Sequence, residues 1–185
     1  DDGICMKGGA GAAGVKAGPC ENINIQGNTV YHAHGGFVIG SEFSGGMKNI
    51  VVRNNTFQGT DAGLRFKSAV KRGGKSENIY IDHIYMTDIT GDAITFETTY
   101  FDNHVGAKQQ AAPIKQEFLP DFQDIHISNV YVRGCKNGIV AHGAEGMIHD
   151  ITIKDCNIFY NKNAKDIDAA CKITLENVNF STFAK

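Results

Sequence analysis

A phrase of alternating apolar and polar residues recurs along the chain, and few folds accept it. It reads ENINIQGNTV at 21–30, KNIVVRNNTF at 48–57, ENIYIDHIYM at 77–86, QDIHISNVYV at 123–132 and HDITIKDCNI at 149–158, and a degenerate copy, CKITLENVNF, closes the series at 171–180. Each copy opens on Asn or Asp, alternates over a few residues, passes a polar turn and resumes the alternation. With Asn22, Asn49, Asn78, Asp124 and Asp150 as markers, the intervals are 27, 29, 46 and 26 residues. A second phrase lies between the copies: DGICMKG (2–8), GGFVIGS (35–41), AGLRFKS (62–68), DAITFET (92–98) and NGIVAHG (137–143).

Alternation with a period of two is the signature of strands whose faces differ. Each period therefore holds about three short strands, and no single period can bury its own apolar face. Successive coils must stack. No segment keeps a helical period across a whole unit, which excludes helical repeats. The reading is an all-β, right-handed parallel β-helix, the hand following from the rule for parallel crossovers. A single domain over 1–185 is expected. The composition agrees: 22 Gly, 3 Pro and no Trp, with Asn and Asp placed where tight turns need them. The long third interval assigns an inserted loop to 100–120, and loops of that length on a scaffold of tight turns tend to carry function.

Charge is nearly balanced, 18 Lys+Arg against 20 Asp+Glu. That argues against nucleic acid or a membrane surface as partner, and no apolar run is long enough to span a bilayer. The five cysteines (Cys5, Cys20, Cys135, Cys156, Cys171) form no CxxC set and read as buried single thiols. His32, His83, His104, His126, His142 and His149 show no metal spacing and read as structural or solvated. No metal and no cofactor are expected.

Stacking converts period into adjacency. Aligning the second phrase puts Gly3, Gly36, Gly63, Ala93 and Gly138 one above another, with neighbouring strands about 4.8 Å apart. Three consecutive coils then share one wall: Asp1 and Asp2 on the first, His34 on the second, Arg65 and Lys67 on the third. Leu64 and Phe66 face the core, so Arg65 and Lys67 face out. On the coil between, Val38 and Gly40 hold the equivalent positions, and Gly40 leaves room for a ligand. Two neighbouring carboxylates oppose each other's ionisation, so one can serve as acid and the other as base. Arg with Lys forms a receptor for an anionic group, and a histidine beside the acid can orient it. Acid, base and anion receptor together suit hydrolysis of an acidic sugar polymer. On residue types alone, the same cluster also fits a solvated face of a non-catalytic β-helix.

DDGICMKGG, HAHGGFVIGSE and GTDAGLRFKS followed by RGG resemble the bacterial polygalacturonases of glycoside hydrolase family 28. That family's paired-aspartate strand, Gly-His-Gly-like turn and Arg-Ile-Lys strand correspond in order to Asp1-Asp2, Ala33-His34-Gly35 and Arg65-Phe66-Lys67. The resemblance implies an inverting, metal-independent hydrolase of α-1,4 bonds between galacturonic acid residues, secreted or periplasmic, acting as a monomer on polygalacturonate or a pectic oligosaccharide. Asp1 would be the general acid and Asp2 would help activate water. His34 would support the acid, and Arg65 with Lys67 would hold the galacturonate carboxylate. Tyr100 matches a tyrosine that lines the subsite. The family's earlier Asn-x-Asp motif has no counterpart in the chain. Further N-terminal coils are therefore expected in the intact enzyme, and residues 1–185 alone should hydrolyse little or nothing. The long insertion favours exo action. The rival readings are a glycan-binding β-helix, weakened by the absence of Trp, and a calcium-dependent pectate lyase, for which the acids form too tight a pair.

Overall fold

A computed structural model of the chain describes residues 1–100 and 117–182. The elements run β1 (Ile4–Met6), α1 (Gly11–Ala17), β2 (Cys20–Gln26), β3 (Thr29–Tyr31), β4 (Gly35–Ser41), β5 (Met47–Gln58), β6 (Ala62–Ser68), β7 (Ser76–Glu97), β8 (Ile125–His142), β9 (Ile151–Ile167) and β10 (Ile173–Thr182). Every pairing between strands is parallel. The path β1-β4-β6-β7-β8-β9-β10 forms one wall, while β2 and β3 pair with β5, which pairs in turn with β7. The architecture is a right-handed parallel β-helix.

The register follows the alignment of the second phrase. Ile4 pairs with Phe37, Phe37 with Leu64, Leu64 with Ile94 and Ile94 with Ile139. Their side chains stack inside the coil, joined by Ile39, Phe66, Phe96 and Ala141 one rung along, all fully buried. The Phe66 and Phe96 rings lie 4.4 Å apart and 6° from parallel. Burying each such side chain contributes about 1.5–3 kcal/mol, so the stacked core is what makes each coil depend on the next.

The corners explain the recurring Asn and Asp. Asn22, Asn49, Asn78, Asp124 and Asp150 all have φ between 49° and 59°, in the left-handed region that these residues enter more easily than other L-residues. Their side chains form a ladder: Asn49 Nδ2 donates to Asn22 Oδ1 (2.9 Å), Asn78 Nδ2 to Asn49 Oδ1 (2.7 Å), and the Asn78 amide to Asp124 Oδ2 (2.7 Å). These residues are turn-formers, as their recurrence suggests. The expectation of three short strands per period needs refinement. Single residues with positive φ, such as His83 and Asp88, turn the chain without breaking its pairing, so β7 runs 22 residues round two corners.

Two features depart from the sequence reading. The segment GAAGVKA forms α1 at the first corner, where the strand pattern gives no hint of a helix. Gly14 packs there so closely against Gly9 that a β-carbon would collide with backbone. Not all five thiols are buried either: Cys135, Cys156 and Cys171 are, but Cys5 and Cys20 are only half covered. All five are free. Burial pushes the Cys135 thiol up to about 12 and the Cys156 thiol up to about 11. Of the inserted loop assigned to 100–120, residues 101–116 lie outside the described residues. Its flanks are held by Tyr100 N–H donating to Ser68 O (2.9 Å) and by Gly73 N–H donating to Phe118 O (3.0 Å).

Candidate active site

The first three coils bring Asp2, Arg65 and Lys67 together. Asp2 stands at the mouth of β1, and the Gly3 amide donates to Gly35 O (2.8 Å), which fixes β1 against β4. Gly35 is the residue that lets Asp2 reach across the second coil. A β-carbon there would lie 3.4 Å from Asp2 Oδ1 and against the Val38 side chain. Asp2 therefore spans to the third coil, where Lys67 Nζ donates to Oδ2 at 2.7 Å and Arg65 Nη1 lies 3.8 Å from Oδ1. The Asp2 and Lys67 side chains are only 6% and 7% exposed. A buried carboxylate is tolerated only when paired, and here it faces two cations. Oδ1 is itself buried and accepts no hydrogen bond among the described residues, so one oxygen of the carboxylate is held by the nearby Arg65 charge alone.

Val38 and Gly40 hold the outward positions between the cations, as the alternation requires: Val38 pairs with Arg65 and Gly40 with Lys67. The room expected over Gly40 for a ligand is already filled. Gly40 sits at φ 110°, and a β-carbon there would collide with the Lys67 carbonyl. Glycine at 40 is explained by close passage of the neighbouring coil. Val38, outward-facing, is fully covered.

Tyr100 also joins the cluster. Its ring centre lies 5.3 Å from the Arg65 guanidinium carbon and 4.8 Å from Lys67 Nζ, within the range of cation–π attraction. Asp1 and His34 are placed differently. Both are exposed. Asp1 Oδ1 accepts the Asp2 amide (2.8 Å), and the Asp1 carbonyl accepts the His34 amide (3.0 Å), so their backbones are joined. The His34 imidazole makes no hydrogen bond or ion pair with either aspartate. The two carboxylates thus sit in unlike surroundings, one buried and paired, the other open to solvent.

A second group of charges lies beside the first, of which the sequence singles out only Glu42, as a flank of the site strands. Lys7 Nζ donates to Glu42 Oε2 (2.9 Å), and Arg72 Nη1 donates to Ser41 Oγ (3.0 Å) while lying 3.5 Å from Glu42 Oε1. Burial is the largest single influence and disfavours both charges of the Lys7–Glu42 pair, but their hydrogen bond and the surrounding charges together outweigh it. Lys7 is raised above the ordinary lysine value and Glu42 held below the ordinary glutamate range. Cys5 lies between the two groups. Burial pushes its thiol up to about 11, with the Asp2 charge adding to the rise and Lys7 and Lys67 opposing it. The signal for Lys7 was present in DGICMKG, because it occupies the same outward column as Gly40 and Lys67.

His104 lies outside the described residues, and apart from His32 the remaining described histidines pair with neighbouring carboxylates, His142 with Asp168 (3.2 Å) among them. His126 pairs with Asp124 (3.0 Å), His83 with Asp82 (2.6 Å), and His149 with both Asp121 (3.0 Å) and Asp150 (2.7 Å). A hollow of about 680 Å³ lies elsewhere, lined by Asp124, His126, Asp150, Thr152, Lys172 and Thr174. Its walls are corner ladders and outer strand faces, and no buried ion pair points into it. Buried complementary charge is gathered instead at Asp2, Arg65 and Lys67.

The comparisons with known proteins bear on the family and the fold. The profile of glycosyl hydrolases family 28 matches residues 1–179. The exo-poly-alpha-D-galacturonosidase of Dickeya chrysanthemi is 29% identical over 133 residues, 72% of this chain and 21% of that protein. A polygalacturonase of Ralstonia solanacearum is 31% identical over 143 residues, 75% of this chain and 23% of its own length. Among solved structures, the exopolygalacturonase of Thermotoga maritima superposes with a TM-score of 0.83 at 31% identity, over 98% of this chain and 39% of that one. The chain thus spans about a fifth to two fifths of these relatives. A β-helix with its basic and acidic residues on three successive coils, matched by that profile over nearly its whole length, belongs to glycosyl hydrolases family 28.

Proposed function

We propose that the chain forms part of the catalytic domain of a polygalacturonate hydrolase, with the groove at Asp2 as its reaction centre. The buried Asp2–Lys67–Arg65 cluster, with one Asp2 oxygen left unbonded, is the observation that carries this reading. Arg65 and Lys67 receive the galacturonate carboxylate, and Tyr100 covers them on one side. Asp2, held between Lys67 and Arg65, helps activate the attacking water. Asp1, free of cations, donates the proton to the glycosidic oxygen, and His34 lies on the adjoining coil where a bound sugar would bring it to Asp1. A protonated acid and an ionised base on opposite sides of the bond give inversion at the anomeric carbon. The printed names of the Dickeya and Thermotoga proteins support exo action. The polymer lies outside the cell, which favours an exported enzyme. No helix among the described residues is long and apolar enough to cross a membrane.

Reducing ends released from polygalacturonate test this reading, measured with the full-length protein and with residues 1–185 alone. The full-length protein is expected to release them, with EDTA having no effect and no ultraviolet-absorbing unsaturated product. Residues 1–185 alone are expected to release little. An unsaturated product would point to a lyase; binding without turnover would point to a glycan-binding module. In the full-length protein Asp1→Asn should lower turnover by at least about 100-fold, as loss of an acid–base catalyst does. Full rate in that variant would overturn the acid assignment.

A further inference from the structure

Four cationic side chains, Lys7, Arg65, Lys67 and Arg72, surround only two carboxylates, Asp2 and Glu42. Counting Asp1, the first three coils carry four cations against three carboxylates, and Glu97, in register with Lys67 on the next coil, brings the signs level. The cations also differ in how fully they are engaged. Lys67 is 7% exposed and turned onto Asp2, whereas Lys7 is 52% exposed. Lys7 gives one donor to Glu42, and an ammonium has three. Glu42, itself held by Lys7 and Arg72, fixes that ammonium at the rim of the groove without satisfying it.

The column geometry places this group relative to the first. Met6 pairs with Ile39 and Gly40 with Lys67, so Lys7 and Lys67 occupy one outward column two coils apart, with only Gly40 between them. Two strand spacings are about 10 Å. A polymer of uronic acids repeats its carboxylate at every sugar. The column of cations repeats in the same direction.

We propose that Lys7, oriented by Glu42 and Arg72, binds a second carboxylate of the same acidic glycan chain, beside the carboxylate received by Arg65 and Lys67. This rests on the uronate-binding reading of the groove. Lys7 is thus a specificity residue: it rewards a chain with consecutive unesterified uronates and is indifferent to a single one. Glu42 and Arg72 act through Lys7 as positioning residues.

Binding of galacturonate and of unesterified digalacturonate to residues 1–185, followed by NMR titration at low salt, separates the possibilities. The wild-type chain is expected to bind the dimer about tenfold more tightly than the monomer, the gain from one charge-assisted contact. Lys7→Met should bring the dimer down to the monomer's affinity while leaving monomer binding unchanged, and Lys7→Arg should restore most of the gain. Lys67→Met should weaken both ligands. If Lys7→Met keeps the full preference for the dimer, or if wild type shows no preference, the second subsite is wrong and the first stands. If wild type binds neither ligand, the uronate reading itself fails and this inference with it. An unchanged circular dichroism spectrum for each variant keeps a loss of binding distinct from a loss of fold.

Discussion

One outward column runs the length of the groove wall and changes character halfway. It reads Lys7, Gly40, Lys67, Glu97, His142, Asp168 from the first described coil to the last. Its neighbour reads Cys5, Val38, Arg65, Thr95, Val140, Asp166. In the first three coils the charges are cations drawn onto a buried carboxylate. In the last two, His142 sits between Asp168 (3.2 Å) and Asp166 (3.6 Å), with all three side chains between 43% and 61% exposed. The backbone is the same in both halves and the register barely shifts. The repeat decides which side chains face the groove; burial decides which of them hold energy.

The largest consequence falls on the Asp2–Lys67 pair. Removing one partner of a buried ion pair costs about 3–5 kcal/mol, because the other is left uncompensated. Lys67→Met should therefore lower unfolding stability by about 3 kcal/mol, the lower end, since Arg65 stays 3.8 Å from Asp2. Adding Asp2→Leu to that variant should recover most of the loss, because an apolar pair leaves no orphan charge. Urea unfolding of wild type and the two variants checks this. A loss below 1 kcal/mol for Lys67→Met would mean that the two halves of the column do not differ in the way their burial implies.

The counterpart in the acidic half should be far smaller. Asp168 accepts from His142 Nδ1 and from the Gly143 amide (3.2 Å), but it is 47% exposed. Pairs at that exposure are worth about 0–1 kcal/mol, so Asp168→Asn should lower stability by no more than that in the same urea assay. A loss as large as that of Lys67→Met would locate a second buried network at the C-terminal end and dissolve the contrast.

The same contrast explains which parts of the molecule were legible in the sequence. A period of two, repeated in register, fixes the coil, its core stack of Phe37, Leu64 and Ile94, and the outward direction of Arg65 and Lys67. The corner residues announce themselves because Asn and Asp tolerate positive φ. Tyr100 could be matched to the site only through the resemblance, because it lies past the end of β7, where no alternation aims it at Arg65. Glu42 and Arg72 lie past the ends of the groove strands, in turns whose path depends on tertiary contacts. Helix α1 depends on glycine-to-glycine packing that no periodicity encodes. The space over Gly40 was misread because a missing side chain looks the same in a sequence whether a ligand or a neighbouring backbone takes its place.

The smallest effect belongs to the Lys7–Glu42 pair, and it can be read through pH. Burial pushes the Glu42 carboxyl up, but the Lys7 hydrogen bond and the Lys7 and Arg72 charges hold it below the ordinary glutamate range in the folded chain. The unfolded carboxyl titrates near 4.3. A depressed folded value contributes stability that is fully present above about pH 4.3 and is lost as pH falls through the lower folded value. At 30% exposure this contribution is at most about 1 kcal/mol. Lys7 acts at the other limb: its folded value is raised, so its contribution holds below the unfolded lysine value, near 10.4, and fades as pH rises through the folded one. The difference in urea midpoint between wild type and Glu42→Gln should accordingly be flat between about pH 5 and 10 and shrink toward both extremes. A difference that persisted undiminished at pH 3 would mean that Glu42 stabilises the groove by packing rather than by charge. Lys7 would then lack the partner that holds it at the rim.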